Sequence, residues 1–337
     1  MTNEMLSVIV PIYNGAKFLP RCLDSLLNQD VEKYEIVCVN DGSTDNSGVI
    51  LQEYQKKNPR VIKIVEQKSQ GLPSARNAGM AVAKGTVLAF CDSDDYLIPH
   101  AYGYLLREFW KEGVDVLKFK SITLDKYVQK EWRETNEIEG KVLYEGSGEK
   151  FVIEREPNFS FVWLYLYRYS FLKEHDIKFL PVKQCEDVAF NLDVYMCNPY
   201  VVQVSSNIYR YTISDEQLTR IREPHFLRTV VESYMCLFGN MNKYIQAMPK
   251  MRETLSRYKQ RETIPCMSRV LSANYTRKEF FSIKRSFQQL GVLPMLLSGK
   301  MPRIINIAMK NYVMYFMTSF LYRYLFVPYV LPHLRRN

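Results

Sequence analysis

The stretch "TVLAFCDSDD", residues 86–95, sets a run of five mostly apolar residues against three carboxylates, Asp92, Asp94 and Asp95. A short unbroken apolar run bounded by Gly85 and by polar residues is the pattern of a strand buried on both faces, as in a parallel sheet. Carboxylates that crowd at its end repel one another unless a cation or hydrogen-bond donors meet them. Ligands of open parallel α/β sheets bind beyond the carboxyl ends of the strands. The stretch therefore predicts both an architecture and the edge of the sheet where chemistry sits.

Working outward, the first 120 residues alternate two periods. "LSVIVPI" (6–12), "EIVCVN" (35–40), "VIKIV" (61–65) and "DVLKF" (115–119) read as further strands. Between them Leu19, Cys22, Leu23, Leu26 and Leu27 recur at helical spacing, and 44–57, 73–85 and 101–112 read as helices. "PSARNAGMAVAKG" has Pro near its start and Gly past its end, the usual asymmetry of a helix. Strands alternating with helices predict an α/β fold with a Rossmann-like, mostly parallel sheet flanked by helices. Residues 121–160 are polar and mixed, and read as an excursion from the sheet. "CEDVAFNLDVYM" reads as a helix, 200–212 as extended chain, and the chain from 225 onward as mostly helical.

Composition narrows the class. The 337 residues are 47% hydrophobic, enough for a sizeable core. No basic leader precedes the first strand, and the seven Cys show no CxxC spacing, so a zinc site or disulfide framework is not expected and a reducing cytoplasm is. Cys22, Cys38 and Cys91 lie in apolar runs and read as core. The net charge of +9 is unevenly spread: residues 225–337 hold 18 Lys and Arg against 4 Asp and Glu, whereas 1–224 hold 27 against 32. A basic tail seeks phosphate, carried on anionic lipid, a lipid-linked phosphate or nucleic acid.

Three strand ends bear chemistry: "PIYNG" (11–15), "NDGSTD" (40–45) and "CDSDD" (91–95). Singly, each reads as turn or helix-cap composition. Together in one sheet they offer an aromatic ring, small polar groups and carboxylates to one ligand. Pro11, Tyr13 and Asn14 are candidates to wall a nucleotide base, and Arg76 can fork onto phosphate or a base edge. Asp92 and Asp94 form a DxD pair suited to Mn²⁺ or Mg²⁺, which takes one or two protein carboxylates and fills its shell with phosphate and water. Asp95 is expected to cap the helix beginning near Pro99. Glu186 and Asp187 are adjacent acids at a helix start, and their proximity suits a general base.

"SVIVPIYNGAKFLPRCLDSLLNQ" (7–29), "EIVCVNDGSTDNS" (35–47), "GLPSARNAGMAVAKGTVLAFCDSDD" (71–95) and "CEDVAFN" (185–191) resemble, in order and spacing, the family-2 glycosyltransferases. These are inverting nucleotide-sugar enzymes of the GT-A fold. "WLYLYRYSFLKEHDIKF" (163–179) resembles the segment leading to the family's acceptor-side acid, so the likeness spans about the first 220 residues. It implies a catalytic domain over 1–220, with a nucleotide-binding half (1–95) and an acceptor-side half (96–220), followed by a basic helical extension over 221–337. It further implies that Asp41 accepts from uracil N3–H, that Arg76 and Asn77 lie beside the nucleotide, and that Asp94 contacts the metal. Asp92 then faces the ribose or the metal's water, Asp187 is the base, and Glu186 orients it or binds the acceptor. The implied partners are a nucleotide-sugar donor, most simply a UDP-sugar, and a glycan or polyprenyl-diphosphate-linked acceptor; nucleic acid is not among them. One departure stands out: Thr212 and Gln217 occupy positions where the family often has a diphosphate-binding Arg and Ser, and Arg210 lies two residues earlier.

The alternatives are a sugar nucleotidyltransferase, whose Gly-rich phosphate loop is missing near the N-terminus, and a non-catalytic membrane-bound scaffold, against which Asp94 and Asp187 stand intact. In the tail, "YVMYFMTSFLYRYLFVPYVL" (312–331) carries one charge, Arg323, and reads as an amphipathic segment lying on the inner face of the cell membrane. A helix packed on the protein is the other reading.

Overall fold

The first apolar run forms β1 (Leu6–Ile12), every residue of it buried. The structure, a computed structural model, describes residues 4–322 apart from 112, 126–137, 139, 156–157, 214–222 and 296–299. Its contacts cluster into two compact units, residues 1–181 with 186–215, and 182–185 with 216–337.

In the first unit, α1 (Leu19–Leu27), β2 (Tyr34–Asp41), α2 (Ser47–Lys57), β3 (Ile62–Gln67), α3 (Leu72–Val82) and β4 (Val87–Phe90) follow β1 in strict alternation. After them come β5 (Tyr96–Leu97), α4 (Ala101–Phe109), β6 (Val116–Asp125), β7 (Val142–Ser147), α5 (Gly148–Arg155), β8 (Tyr165–Arg168), α6 (Tyr169–Glu174), α7 (Glu186–Met196) and β9 (Tyr200–Ile213). Among the described residues the nine strands make one sheet, in the order β3-β2-β1-β4-β8-β6-β9-β5, with β7 also on β9. β3, β2, β1 and β4 are parallel, as are β6 and β9; β8 runs antiparallel to both its neighbours.

Strand alternation divides the core into two layers. Leu6, Val8, Val10 and Ile12 face Cys22, Leu23 and Leu26 of α1, in one cluster with Leu51 of α2 and Leu105, Leu106 and Phe109 of α4. Ile9 and Val39 face the other way, onto α3. There Gly79 lets the helix come close: a Cβ on it would stand 2.4 Å from Ile9 Cγ2 and 3.3 Å from Val39 Cγ2. Phe90 on the same face packs edge-on against Phe179 and Phe190 of α7, at 5.3 and 6.1 Å between ring centres. The sheet is thus covered on both faces, which is why its parallel strands read as unbroken apolar runs.

The alternating first half matches the sequence reading to within a few residues. The strand expected at 115–119 is present and longer, as β6. It does not follow β4 in the sheet, because the aromatic run Tyr165–Arg168 inserts between them as β8. It also extends to Asp125, drawn out by its parallel pairing along β9. Part of the expected excursion at 121–160 lies outside the described residues.

The second unit is helical. It contains α8 (Pro224–Ala247), α9 (Arg252–Ser272), α10 (Arg277–Gln289), α11 (Lys300–Ala308) and α12 (Tyr312–Leu321). α10 opens on a capping box between Thr276 and Glu279, which satisfies two of the orphan donors at its start. α12 presses Tyr315 and Ser319 onto α9: the Tyr315 hydroxyl donates to Val270 O at 3.2 Å, and Ser319 Oγ donates to Leu271 O.

Candidate active site

Strand order reverses between β1 and β4, the topological switch point where ligands of such sheets bind. The backbone opens the crevice there. Ile9 O accepts from Cys91 N at 3.1 Å, so Ile9 points its peptide groups at β4, and Pro11, two residues on, points the same way. β4 pairs with β1 only as far as Phe90 opposite Ile9. The N–H that proline lacks would therefore have had no ladder partner, and Pro11 marks where the two strands part.

The loops beyond the parallel strands are stitched together by side chain to backbone bonds. Asn14, in the left-handed region at φ 51, accepts from Thr44 N at 2.7 Å. Gly15 N donates to Ser47 Oγ and Ala16 N to Asp45 Oδ2, both at 3.0 Å. The Tyr13 ring is left 57% exposed at the lip of the crevice. Asp41, at the end of β2 and buried, accepts from Gln67 Nε2 at 2.6 Å, Gln70 N at 2.8 Å and Gly71 N at 2.8 Å. Three of about four acceptor positions of the carboxylate thus hold the segment 67–71 in place, and one is left.

The carboxylates after β4 have three different settings. Asp92 pairs with Arg76, Oδ1 to Nη2 at 2.9 Å, and keeps a quarter of its side chain exposed. Asp94 is half-buried, and its carbonyl accepts from Arg21 Nη2 at 2.7 Å. Asp95 is fully buried and turned inward, which corrects the helix-cap expectation: it accepts from Tyr209 Oη and from Thr212 N, each at 2.7 Å. α4 begins instead behind His100, with no side-chain cap. Burial, reinforced by the charges of Asp94 and Asp92, pushes Asp95 up to about 9, although its two donors act the other way. The same burial and neighbouring charges favour its protonated form, which eases the repulsion within the cluster.

Arg76 joins the two halves of the site. It lies on α3, 2% exposed, and reaches Asp92 with one terminal nitrogen and Glu186 Oε1 with the other, both at 2.9 Å. Its plane sits 5.3 Å from the Phe179 ring centre. Burial works against its charge, but Asp92, Glu186 and Asp187 outweigh that and hold its pKa above the usual range. Asn77, one residue on, is committed to the backbone of Phe179, giving Nδ2 to its carbonyl at 2.8 Å and taking its N–H at 2.9 Å. It straps α3 to the chain that leads into α7.

Glu186 and Asp187 open α7. Burial, then the charge of Asp187, pushes Glu186 up to about 7 against the pull of Arg76. Burial also raises Asp187, against the N–H groups of Phe161 and Val188, which its two oxygens accept at 2.7 and 2.8 Å. One turn on, buried Asn191 accepts from Tyr167 Oη and donates to Phe159 O, both at 2.6 Å. α7 is thereby fixed against the segment that carries Phe161.

An aromatic stack lies between these groups. Trp163 stacks on Tyr209 at 4.2 Å and on Tyr211 at 5.4 Å, and Phe161 leans on Trp163 at 4.9 Å. Tyr209 Oη, at one end, accepts from Asp92 N at 3.1 Å. Arg210, on the opposite face of β9, is buried and donates to Asn207 O. Thr212 meets Arg21 Nη2 through its hydroxyl at 3.0 Å. Gln217 lies outside the described residues. Arg21, Phe161, Tyr209 and Asn191 had no assigned role in the sequence; only the pairing of distant segments reveals them.

Among the described residues no three His, Cys, Asp or Glu side chains converge as a cation cage. Asp94 and Asp92 supply one or two carboxylates, which fits Mg²⁺ or Mn²⁺ provided that phosphate oxygens and water complete the shell. The structure thus presents an exposed ring, a buried carboxylate with one acceptor position left, the carboxylates after β4 and, one guanidinium away, a second acidic pair.

Comparison with known proteins identifies the family and the fold. The model of the family "Glycosyl transferase family 2" matches residues 7–172. An uncharacterized glycosyltransferase of Bacillus subtilis, EpsJ, is 31% identical over 78% of this chain and 77% of its own length. Staphylococcus aureus TarS, residues 1–349 in complex with UDP-GlcNAc, superposes with a TM-score of 0.62 at 19% identity, covering 95% of this chain and 91% of that one. The mannosyltransferase PcManGT of Pyrobaculum calidifontis, in complex with GDP-mannose and Mn²⁺, superposes with a TM-score of 0.55 at 14% identity, covering 95% and 87%.

Proposed function

The chain belongs to glycosyl transferase family 2, and on that premise we propose that it moves a sugar, with inversion, from a UDP-sugar to a hydroxyl of a bacterial surface glycan. The observation that carries this reading is Arg76, which holds the donor-side Asp92 and the acceptor-side Glu186 on one guanidinium. The choice of uridine draws on TarS, a structural neighbour seen with UDP-GlcNAc; PcManGT, another neighbour, is seen with GDP-mannose, which makes the guanosine donor the reading to test against.

In this reading Tyr13 stacks on the base, Pro11 and Asn14 shape its pocket, and the remaining acceptor position of Asp41 takes the imide N–H. Asp94, with Asp92, holds Mn²⁺ or Mg²⁺, which supplies Lewis-acid neutralisation of the departing diphosphate. Asp187 takes the proton of the acceptor hydroxyl as it attacks from the face opposite the diphosphate, and its raised pKa suits it to that task. Glu186 positions the acceptor while Arg76 holds it in register with Asp92. Asn77 keeps α3 and the approach to α7 together.

A thermal-shift series with UDP-glucose, UDP-GlcNAc and GDP-mannose, with and without Mn²⁺, tests the donor. Binding at a hundredfold excess over Kd adds about 2.7 kcal/mol of apparent stability. A UDP-sugar is expected to stabilise the protein, more so with Mn²⁺, and Asp94→Ala to abolish the metal-dependent part. Stabilisation by GDP-mannose alone overturns the uridine reading.

The acceptor is proposed to be carried on a polyprenyl diphosphate, with the enzyme peripheral on the cytoplasmic face of the membrane. No described helix is long and apolar enough to cross a bilayer. α12 buries Tyr315 and Ser319 but exposes Val313, Phe316, Met317, Phe320 and Leu321 on its other side, and Ile304 and Ile307 of α11 are exposed as well. An exposed apolar face in so basic a unit suits an anionic lipid surface. Co-flotation with phosphatidylglycerol vesicles, but not with phosphatidylcholine alone, is expected, and it should be lost in Phe316→Ser/Phe320→Ser. Equal flotation of that variant sinks the docking reading.

A further inference from the structure

We propose that Phe161 is the platform on which a pyranose ring of the acceptor lies while Asp187 takes its proton. The inference rests on the reading of Asp187 as the base and adds the subsite that presents the sugar to it.

Three observations converge on Phe161. Its backbone is left-handed, at φ 71 and ψ 77, a region that bulky side chains avoid and glycine enters freely. A strained backbone held by its surroundings is a signal of function when the strain has an identifiable use. Its N–H donates to Asp187 Oδ2 at 2.7 Å, which ties the residue that bears the ring to that carboxylate. The ring itself is 38% exposed, although it belongs to the stack formed with Trp163 and Tyr211. Trp163 behind it is only 4% exposed. The ring leans on a buried indole while more than a third of the residue stays open to solvent, so a π surface is available there.

Such a surface is electron-rich on its face. The matching ligand is a flat apolar patch of C–H groups bearing partial positive charge; a β-linked glucopyranose has one on each side of its ring, and a galactopyranose has one on a single side. The hydroxyls around the edge of that sugar then point outward, where Asp187 and Glu186 are placed to accept. The nucleotide base is not the occupant, because the groups suited to it lie at the ends of β1 and β2.

Saturation-transfer NMR with cellobiose, N,N′-diacetylchitobiose and lactose, in the presence of UDP and Mn²⁺, tests the proposal. Wild type is expected to saturate ring C–H protons of at least one of the three. Phe161→Gly removes the ring where glycine suits the backbone, so its melting temperature should not fall, while saccharide binding weakens by roughly tenfold. Phe161→Tyr, which keeps the π surface, should retain binding; Phe161→Leu, which keeps only apolar bulk, should lose it. No signal from any of the three sugars with wild type, or unchanged binding in Phe161→Gly or Phe161→Leu, overturns the platform. Thermal stabilisation of wild type by UDP and Mn²⁺ separates the two readings. If it is absent, the donor-site reading fails. If it is present and saccharide binding ignores Phe161, only the platform fails.

Discussion

Arg76→Met keeps the length of the side chain and removes its charge. Arg76 is 2% exposed, and its two partners, Asp92 and Glu186, are largely buried beside Phe179. Removing one member of a buried ion pair typically costs about 3–5 kcal/mol, because the group left behind is charged and unpaired. For a unit the size of the one that holds Arg76, about 2–4 °C of melting temperature is lost per kcal/mol, so a fall of roughly 6–20 °C is expected at pH 8. The pH dependence has a definite sign. Glu186 is raised to about 7 in the fold, so the stability tied to its proton is full below the usual carboxylate range and is lost as pH rises through 7. Arg76 is the group that opposes this rise, and without it the carboxyl holds its proton to higher pH. The variant should therefore lose less relative to wild type at pH 6, where Glu186 is protonated in both, than at pH 8. Urea unfolding of both proteins at the two pH values measures it. A loss under about 1 kcal/mol, or one of equal size at pH 6 and pH 8, refutes the view of Arg76 as the electrostatic bridge.

Asp95→Asn removes a carboxyl that the fold raises to about 9. Wild type loses stability as pH climbs from the usual carboxylate range through 9, so the variant should gain on wild type between pH 6 and pH 10 by urea unfolding. Asp41→Asn turns an amide N–H₂ toward one of the three donors now bound there, and should cost about 1–3 kcal/mol and weaken UDP binding by calorimetry. Gly79→Ala places a methyl group 2.4 Å from Ile9 Cγ2; thermal unfolding should show a net loss of about 1 kcal/mol despite the better helix propensity of alanine. A stabilised Gly79→Ala contradicts the close packing of α3 on β1.

What was legible in the sequence follows from how local its cause is. β1 to β4 and the helices between them were readable because burial on both faces writes a continuous apolar run, and one-sided burial writes a 3.6-residue period. β8 was not, since "YLYR" is short and its antiparallel place between β4 and β6 depends on partners about fifty to eighty residues away. The carboxylates at 92–95 were found and given separate roles, and of these the structure overturns the helix cap read for Asp95. Asp95 is turned inward by Tyr209 and Thr212, more than a hundred residues later, and nothing in "DSDD" says so. Arg76 and Glu186 were each singled out, while their pairing across 110 residues was not, and Asn77 carries a strap to Phe179 that its motif does not announce. As far as Leu321 the stretch 312–331 is the helix α12, which packs Tyr315 and Ser319 on α9 and leaves an apolar face exposed; Arg323 and the residues beyond lie outside the described part.

The most direct test of the central claim, that Asp187 takes the acceptor proton beside a donor site built at the switch point, is the Asp187→Asn variant assayed with UDP-GlcNAc and Mn²⁺. Donor affinity by calorimetry and turnover by UDP release are measured on the same preparation. The expected result is affinity unchanged within about twofold and turnover reduced by roughly 10²–10⁴, the contribution of a general base. Turnover within a few-fold of wild type, with the donor still bound, contradicts it.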